Sequence, residues 1–353
     1  MSGSLGFLGL TAVPGLVDLH VHFREPGFPQ KEDIASGMAA ARAGGFACVC
    51  MMPNTRPPID SVETLLAVDA KGSGSPCLGL AASAMTIGQA GKELVDFAAM
   101  DAAPTLCKEL TGHGVCGISE DGMTLADEGL MERVCREAAR LDLPVMDHCE
   151  PETETILRDI ALANRTGARF HIQHVSRKAS VAAIRRAKRD GVPVTCETAP
   201  HYFALNGSSG AKMNPPLGSE EDRLAIIEGL RDGTIDCIAT DHAPHEKAVK
   251  EGIPYEQVAN GVIGLETSLA VSYTTLVAGG YLLLEDLVRL MSTRPAEIIG
   301  LPRGALGTLL LDVETEYAID REGFLSKGRN TPFDGMLVRG RILEWKNGTE
   351  DLR

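Results

Sequence analysis

Short apolar segments alternate along this chain with longer segments in which apolar residues recur at helical spacing. The apolar segments have the length of strands, and many of them follow a Gly or Pro residue that ends a helix. The pattern predicts eight strands, at residues 16–22, 46–52, 77–83, 115–119, 144–148, 169–174, 193–197 and 235–240. It predicts helices between them, including those at residues 31–43, 62–71, 130–141, 153–166, 178–190 and 220–232.

Strands that alternate with helices predict a parallel sheet joined by crossover helices. Eight strands close a (β/α)₈ barrel, which usually takes about 250 residues. A doubly wound open sheet is the alternative, but no Gly-x-Gly-x-x-Gly follows the first strand. Beyond residue 300, short strands are predicted at 304–311 and 336–345. We therefore expect a short leader (1–13), a barrel (14–300) and a small C-terminal β extension (301–353).

The composition is that of an ordinary globular protein, with 353 residues, 44% hydrophobic content and a mean hydropathy of zero. The net charge of −14 argues against a nucleic-acid partner. No segment reaches the roughly 18 apolar residues of a membrane span, and the first dozen residues do not resemble a signal peptide. Nine cysteines without a Cys-x-x-Cys spacing indicate reduced thiols in a cytoplasmic protein.

The first predicted strand leads into the segment Asp18-Leu19-His20-Val21-His22-Phe23-Arg24. Because side chains two apart in a strand share a face, His20 and His22 point to the same place. Imidazole is a common ligand of first-row metals, although hydrogen bonds to the backbone explain such a pair equally well. Arg24, in the loop just beyond, indicates an anionic ligand near that place.

Polar residues collect at the carboxyl ends of the predicted strands, where a barrel of this kind carries its chemistry. Seven of the eight ends have His, Asp or Asn, including His20, His22, Asn54, Asp121, His148, His174, His201, Asp241 and His245. Each has an ordinary explanation by itself, such as a turn aspartate or a core histidine. Four of these imidazoles and the two carboxylates already exceed the needs of one four-coordinate metal. They indicate two metals that share a carboxylate.

His171 and His174 lie three apart in the sixth predicted strand. Residues at that spacing face opposite sides of a strand, so only one of the two is expected at the barrel mouth. The spacing alone does not choose between them.

The chain closely resembles the dihydroorotases of the bacterial class I type, within the amidohydrolase superfamily. The resemblance extends from about Pro14 to Gly340 and rests on specific motifs, at residues 14–27, 50–55, 119–122, 212–217, 240–245 and 327–335. It implies a barrel hydrolase of cyclic amides that interconverts dihydroorotate and N-carbamoyl-aspartate in pyrimidine biosynthesis.

The resemblance also implies the roles of individual residues. His20, His22 and Asp241 match the ligands of a first zinc ion. His148 and His174 match those of a second, and Asp121 bridges the two ions together with a hydroxide. Many relatives use a carboxylated lysine as the bridge, but the nearest lysine here, Lys108, precedes its strand and is expected in solvent. Asp241 is also the expected general base, and the implied substrate-binding residues are His22, Arg24, Asn54, Asn214, His245, Asn260 and Gly261.

Arg24 favours a dihydroorotase over its relatives because a guanidinium can hold the exocyclic carboxylate of dihydroorotate in a bidentate way. Hydantoinases and dihydropyrimidinases act on rings without that carboxylate and lack the arginine, and allantoinases typically have asparagine there. These enzymes are the catalytic alternatives. A non-catalytic structural partner is the other alternative, and the retention of all six metal-ligand positions argues against it.

Several intervals are short against the family pattern, namely the N-terminus and residues 149–168, 206–211 and 307–312. A skipped segment, a trimmed chain and a natural minimal form each explain them. The short N-terminus is expected to leave the C-terminal strands without their usual partners, and exposed strand edges favour a homo-oligomer. Association with aspartate transcarbamoylase, which is known for some relatives, is a further expectation.

Overall fold

The computed structural model describes residues 10–72, 74–75 and 77–346. Its strands are β1 (Leu10–Pro14), β2 (Leu16–Val21), β3 (Phe46–Met51), β4 (Leu78–Ala81), β5 (Ser83–Ala84), β6 (Ile118–Ser119), β7 (Val145–Asp147), β8 (Phe170–Ile172), β9 (Val194–Thr198), β10 (Cys237–Ile238), β11 (Thr308–Asp312), β12 (Tyr317–Ala318), β13 (Leu337–Val338) and β14 (Arg341–Lys346).

The helices of the described residues are α1 (Ile34–Ala43), α2 (Val62–Gly72), α3 (Phe97–Ala102), α4 (Leu106–Thr111), α5 (Glu128–Leu141), α6 (Glu152–Thr166), α7 (Lys178–Arg189), α8 (Pro200–Ala204), α9 (Glu220–Arg231), α10 (Ser268–Ser272), α11 (Leu284–Val288) and α12 (Arg294–Ile298). A π-helical turn at Tyr273–Ala278 continues α10, and another at Arg289–Thr293 joins α11 to α12. Short 3₁₀ turns occupy parts of the loops. The six predicted helices are α1, α2, α5, α6, α7 and α9, with ends shifted by up to three residues.

The eight predicted barrel strands are all present and pair in parallel. β2, β3 and β4 form one run, and β5 to β10 form the other. Only Ala82 separates β4 from β5, and its amide donates to the carbonyl of Met51 at 3.0 Å, so β4 and β5 together are the third barrel strand. The barrel closes where Val21 pairs in parallel with His242. The (β/α)₈ prediction is confirmed.

Capping residues mark the ends of the helices that connect successive barrel strands. Asp33 accepts a hydrogen bond from Ser36 N at 2.7 Å at the start of α1, and Ser219 accepts one from Asp222 N at 3.2 Å at the start of α9. Helix α6 ends at Gly167, which has a left-handed φ of 75° that glycine adopts without steric cost. β2 and β3 are buried throughout, as expected for parallel strands that helices cover.

A second, three-stranded antiparallel sheet has the order β1-β11-β14, with Leu10 opposite Asp312 and Pro14 opposite Thr308. The expectation that the C-terminal strands lack a partner from the N-terminus is therefore wrong, because the few residues before the first barrel strand suffice to form β1. The outer edges of this sheet are β1 and β14. The described residues do not include 1–9 of the predicted leader or 347–353. The division of the chain into leader, barrel and C-terminal extension stays a prediction.

The described residues contain no helix long and apolar enough to cross a membrane. All nine cysteines are buried, and none forms a disulfide. Burial raises the pKa of the Cys77 thiol, which keeps that thiol protonated. The cysteines therefore act as small apolar residues of the core.

Candidate metal-dependent active site

A cavity of about 210 Å³ opens at the carboxyl ends of the barrel strands. Its lining consists of His22, Arg24, Asn54, Asp121, Gly122, His148, His174, Asn214, Asp241, Ala243, Asn260 and Gly261. Nearly all predicted site residues thus surround one space. Of the remaining two, His20 is fully buried, and the His245 ring lies next to Gly261, where an added Cβ would be 3.7 Å from His245 Nε2.

His20 and His22 extend from β2 on the same side, as their spacing predicts. His20 Nδ1 lies 2.8 Å from Glu197 Oε1, and His22 Nδ1 lies 2.9 Å from Asn54 Oδ1. These contacts occupy one nitrogen of each ring, so both Nε2 atoms face the carboxylates of the site. His22 Nε2 lies 3.1 Å from Asp241 Oδ1, and His20 Nε2 lies 3.6 Å from the same oxygen.

Asp121 follows β6 and lies among the histidines of both predicted ligand sets. Its Oδ1 is 3.1 Å from His20 Nε2 and 3.8 Å from His148 Nδ1. Its Oδ2 is 3.3 Å from His22 Nε2. One carboxylate therefore contacts three imidazoles, two from the end of β2 and one from the segment after β7.

His174 reaches the cavity because the backbone turns after β8. The regular strand ends at Ile172, and His174 has a left-handed φ of 35°. Its Nε2 lies 2.8 Å from His148 Nδ1. His171 lies lower in the barrel, where its ring contacts Glu197 Oε2 at 3.0 Å. As predicted, only one of His171 and His174 reaches the barrel mouth. The reason given for it, that residues three apart in a strand face opposite sides, is wrong because the regular strand ends before residue 174.

Asp241 also has a left-handed backbone, with φ 48°, three residues after the end of β10. Asp18, buried in β2, holds the residue before it through hydrogen bonds from Thr240 N at 3.1 Å and Thr240 Oγ1 at 2.6 Å. This anchoring keeps the Asp241 carboxylate directed at the two histidines of β2 in a conformation that is uncommon outside glycine.

The donor set fits a divalent cation. His20 Nε2, Asp121 Oδ1 and His174 Nδ1 are buried and have no hydrogen-bond partner within the described part of the chain. Two groups made up of predicted ligands have ligand atoms that all lie within 4.8 Å of one another, His20 with His22 and Asp241, and His20 with Asp121 and His174. Buried nitrogen and carboxylate donors without partners are costly unless a cation satisfies them.

The charges of the site agree with that fit. Burial alone would raise the pKa of Asp121, but His20 and His22 outweigh it and hold the pKa well below its ordinary value. The same balance lowers the pKa of Asp241. Burial lowers the pKa of His174 to about 3, so its ring is neutral and free to ligate. The site thus offers ionised carboxylates and imidazole lone pairs, which divalent first-row metals prefer.

The predicted substrate-binding residues surround the same space. Burial lowers the pKa of Arg24, whose Nε has no hydrogen-bond partner in the described residues. Asn54 Nδ2 donates to Asp121 Oδ2 at 3.3 Å, and Asn214 Nδ2 donates to Glu150 Oε2 at 2.9 Å. Asn260 and Gly261 also line the cavity.

Comparison with known proteins places the chain in a family. Residues 11–308 match the amidohydrolase family. A dihydroorotase of Desulforapulum autotrophicum is 42% identical over 375 aligned positions, which cover 95% of this chain and 85% of that protein. A dihydroorotase of Bacillus subtilis is 38% identical, with 94% and 84% covered. The chain belongs to the dihydroorotase family of amidohydrolases. It is therefore a metal-dependent hydrolase, and the resemblance seen in its motifs is confirmed.

The solved structure of an L-hydantoinase (dihydropyrimidinase) from Arthrobacter aurescens shares the fold with a TM-score of 0.85, at 24% identity, over 96% of this chain and 84% of that one. An inactive dihydroorotase-like domain of a Chaetomium thermophilum CAD-like multifunctional protein has a TM-score of 0.72 at 19% identity, over 96% of this chain and 93% of that one. At these identities the likeness concerns the fold alone. The Desulforapulum alignment spans more positions than the 353 residues of this chain, so that relative carries residues that this chain lacks.

Lys108, the nearest candidate for the carboxylated lysine of other amidohydrolases, lies in α4 outside the cavity lining. Its Nζ donates to the carbonyl of Asp101 at 2.9 Å, and 37% of its side chain is exposed. Lys108 therefore does not reach the residues that surround the cavity.

Glu197 is the main site residue that sequence reasoning missed. It is buried in β9 and contacts both His20 and His171. The signal was present, because a carboxylate inside a strand of a parallel barrel must have a buried partner. Only the folded chain identifies the partners as His20 and His171.

Proposed function

We propose that this protein interconverts dihydroorotate and N-carbamoyl-aspartate, a step of pyrimidine biosynthesis, by hydrolysing a cyclic amide. The observation that carries the proposal is Arg24, which lines the same cavity as His22 and Asp241 and whose guanidinium Nε has no partner among the residues that the structure describes. A planar guanidinium holds a carboxylate in a bidentate way. Dihydroorotate has such a carboxylate next to its ring, whereas hydantoin does not.

We propose two zinc ions as the metals. His20, His22 and Asp241 would hold the first ion, His148 and His174 the second, and Asp121 would lie between them. The contacts of Asp121 with imidazoles of both sets support that arrangement. When bound, such a pair supplies a hydroxide nucleophile at neutral pH and polarises the carbonyl that it attacks.

Asp241 is the proposed general base. Its carboxylate is ionised at neutral pH, since its pKa lies below the ordinary range, and it faces the cavity beside His22. It accepts the proton of the attacking water as the new C–O bond forms at the ring carbonyl. It then gives that proton to the ring nitrogen as the C–N bond breaks, which yields the free carboxylate and the carbamoyl N–H.

The remaining lining residues would orient the substrate ring beside the metal ligands and Asp241. Arg24, Asn54, Asn214, Asn260 and Gly261 all line the cavity. His22 and His245 complete the proposed substrate-binding set. Holding the ring in one orientation removes much of the entropy cost of reaction.

A hydrolysis assay tests the proposal directly. Dihydroorotate, hydantoin and allantoin are supplied separately to the purified protein, before and after removal of metal with a chelator. We expect turnover of dihydroorotate above that of the other two, loss of turnover with the chelator and recovery with zinc. Preference for hydantoin or allantoin would show a different cyclic amidohydrolase. No turnover by fully metal-loaded protein would indicate a non-catalytic structural partner.

We also propose that the protein is a homo-oligomer of the cytoplasm that associates with aspartate transcarbamoylase. Among the described residues, no further strand pairs with the outer edges of β1 and β14, and this supports self-association because unpaired strand edges recruit other chains. Nine free, buried thiols suit a reducing compartment. Light scattering of the protein alone and mixed with aspartate transcarbamoylase checks both associations, and a monomer mass in both samples would contradict them.

A further inference from the structure

We infer that Asn330, in the C-terminal extension and outside the barrel, is a positioning residue that holds two loops of the active site in register. The inference rests on the proposed function for its kinetic consequence, but its structural part stands independently. Asn330 is half-buried and does not line the cavity.

The side chain of Asn330 bridges the two loops with three hydrogen bonds. Its Oδ1 accepts from His245 N at 3.1 Å, and its Nδ2 donates to the carbonyls of Ala243 at 3.0 Å and Gly261 at 3.2 Å. Its own carbonyl accepts from Ile263 N at 3.1 Å. Only a side-chain amide offers two donors and an acceptor on one small planar group.

Both loops belong to the site. The first begins at Asp241 and contains Ala243, and the second contains Asn260 and Gly261, all of which line the cavity. The loops are closely packed, because a Cβ placed on Gly261 would lie 2.6 Å from Ala243 Cβ. One backbone hydrogen bond joins them directly, from Ala243 N to the carbonyl of Val262 at 2.8 Å. Asn330 adds the connections that reach His245 and Gly261.

The segment that carries Asn330 is itself anchored to the barrel, so it can act as a fixed support. Ser326 Oγ and Lys327 N both donate to the buried carboxylate of Glu32, in the loop before α1. Ser326 N donates to Glu266 Oε2 at 3.1 Å. The extension therefore links the loop after the first barrel strand with the loops after the eighth.

Lys250 supports the second loop from the same side. Its Nζ donates to the carbonyls of Ala259 at 2.7 Å and Gly261 at 2.8 Å. Gly261 O thus accepts from both Lys250 and Asn330. Loss of Asn330 should therefore loosen the second loop only in part, whereas the bond to His245 N has no such substitute among the described residues.

The test replaces Asn330 with aspartate. The substitution keeps the size of the side chain and its acceptor oxygen, but a second oxygen replaces the NH₂ group that donates to the two carbonyls. We expect KM for dihydroorotate to rise roughly 10- to 100-fold, because small displacements of positioning groups have effects of that order. We expect kcat to change far less and metal content to stay equal to that of the unsubstituted protein. The matched control is Asn164→Asp, which makes the same change at an exposed position of α6.

Hydrogen exchange of backbone amides separates this inference from the proposed function. In Asn330→Asp, exchange at residues 243–245 and 259–263 should become faster, while exchange in β2 and β3 stays unchanged. If Asn330→Asp does not fold, Asn330→Ala is measured in the same way. Unchanged loop exchange, or an unchanged KM with active protein, would overturn the inference. A lack of dihydroorotate turnover in the unsubstituted protein would instead overturn the proposed function, and the exchange result would still decide the inference.

Discussion

Glu197 Oε1 lies 2.8 Å from His20 Nδ1 at the centre of the barrel. The other carboxylate oxygen of Glu197 lies 3.0 Å from His171 Nε2, and His171 Nδ1 lies 2.9 Å from Thr195 Oγ1. His20, His171 and Glu197 are buried, and Thr195 is half-buried. A carboxylate behind a metal-ligating imidazole fixes the ring orientation and leaves Nε2 free for the metal.

Replacing Glu197 with glutamine should weaken metal binding by roughly 10- to 100-fold, the range typical for loss of such a partner. The fold should persist, because the side chain keeps its shape. Titration against a competing chelator measures the affinity. Glu228→Gln, at an exposed position of α9, makes the same chemical change away from the site and should bind metal normally. Equal affinities in both variants would contradict a role for Glu197.

Asp241→Asn should reduce kcat by at least roughly 100-fold, because it removes the proposed general base. Far-ultraviolet circular dichroism and metal analysis accompany the kinetic measurement, since Asp241 is also a proposed ligand. A variant that keeps its metal and loses turnover supports the role as base. Unchanged turnover would exclude that role.

Arg24→Ala should raise KM for dihydroorotate by roughly 10- to 100-fold, as expected for loss of a charge-assisted hydrogen-bonded pair. Any residual hydrolysis of hydantoin should be unaffected, since that ring has no carboxylate. Steady-state kinetics with both substrates give the comparison. Arg136→Ala, at an exposed position of α5, is the control for loss of an arginine. An unaltered KM for dihydroorotate would contradict the carboxylate role.

Removal of metal should lower the thermal stability of the protein. The site gathers buried donors that have no partner within the described chain, and a ligand that binds only the folded state adds about 2.7 kcal/mol at a concentration 100 times its dissociation constant. Differential scanning calorimetry with chelator and then with added zinc measures the change. In Asp121→Asn, zinc should restore less of the stability. Identical Tm values with and without zinc would count against a buried metal site.

Gly44→Ala should destabilise the protein by about 1–3 kcal/mol, the usual cost of forcing extra volume into a packed site. A Cβ at Gly44 would lie 2.0 Å from the carbonyl oxygen of Leu265, and backbone cannot move aside cheaply. Gly304→Ala is the matched control, since a Cβ there meets nothing within 4 Å. Urea denaturation of both variants gives the two free energies of unfolding. Equal values would show that the contact near Leu265 relaxes without cost.

Much of the fold and of the site was predictable from sequence. The eight strands and six of the helices were predicted with boundary errors of a few residues, because parallel barrel strands are apolar runs between helix-ending glycines. Once strands alternate with helices, their carboxyl ends must meet at one rim. The gathering of His22, Asp121, His148 and Asp241 around one cavity followed from that rule.

The remaining features were not predictable because they depend on contacts between distant segments or on backbone turns past the strand ends. The direction of His174 depends on a left-handed φ after β8, which no strand periodicity contains. The pairing of β1 with β11 joins residues about 300 positions apart.

The sequence by itself determined which side chains this protein brings to its rim, since local hydrophobic patterning sets the order and direction of the strands. Only the tertiary structure decided how those side chains are held. Glu197 behind His20 and Asn330 between the two loops are long-range partners. Their choice depends on the closure of the barrel and on the docking of the extension, and neither is encoded in any local pattern of residues.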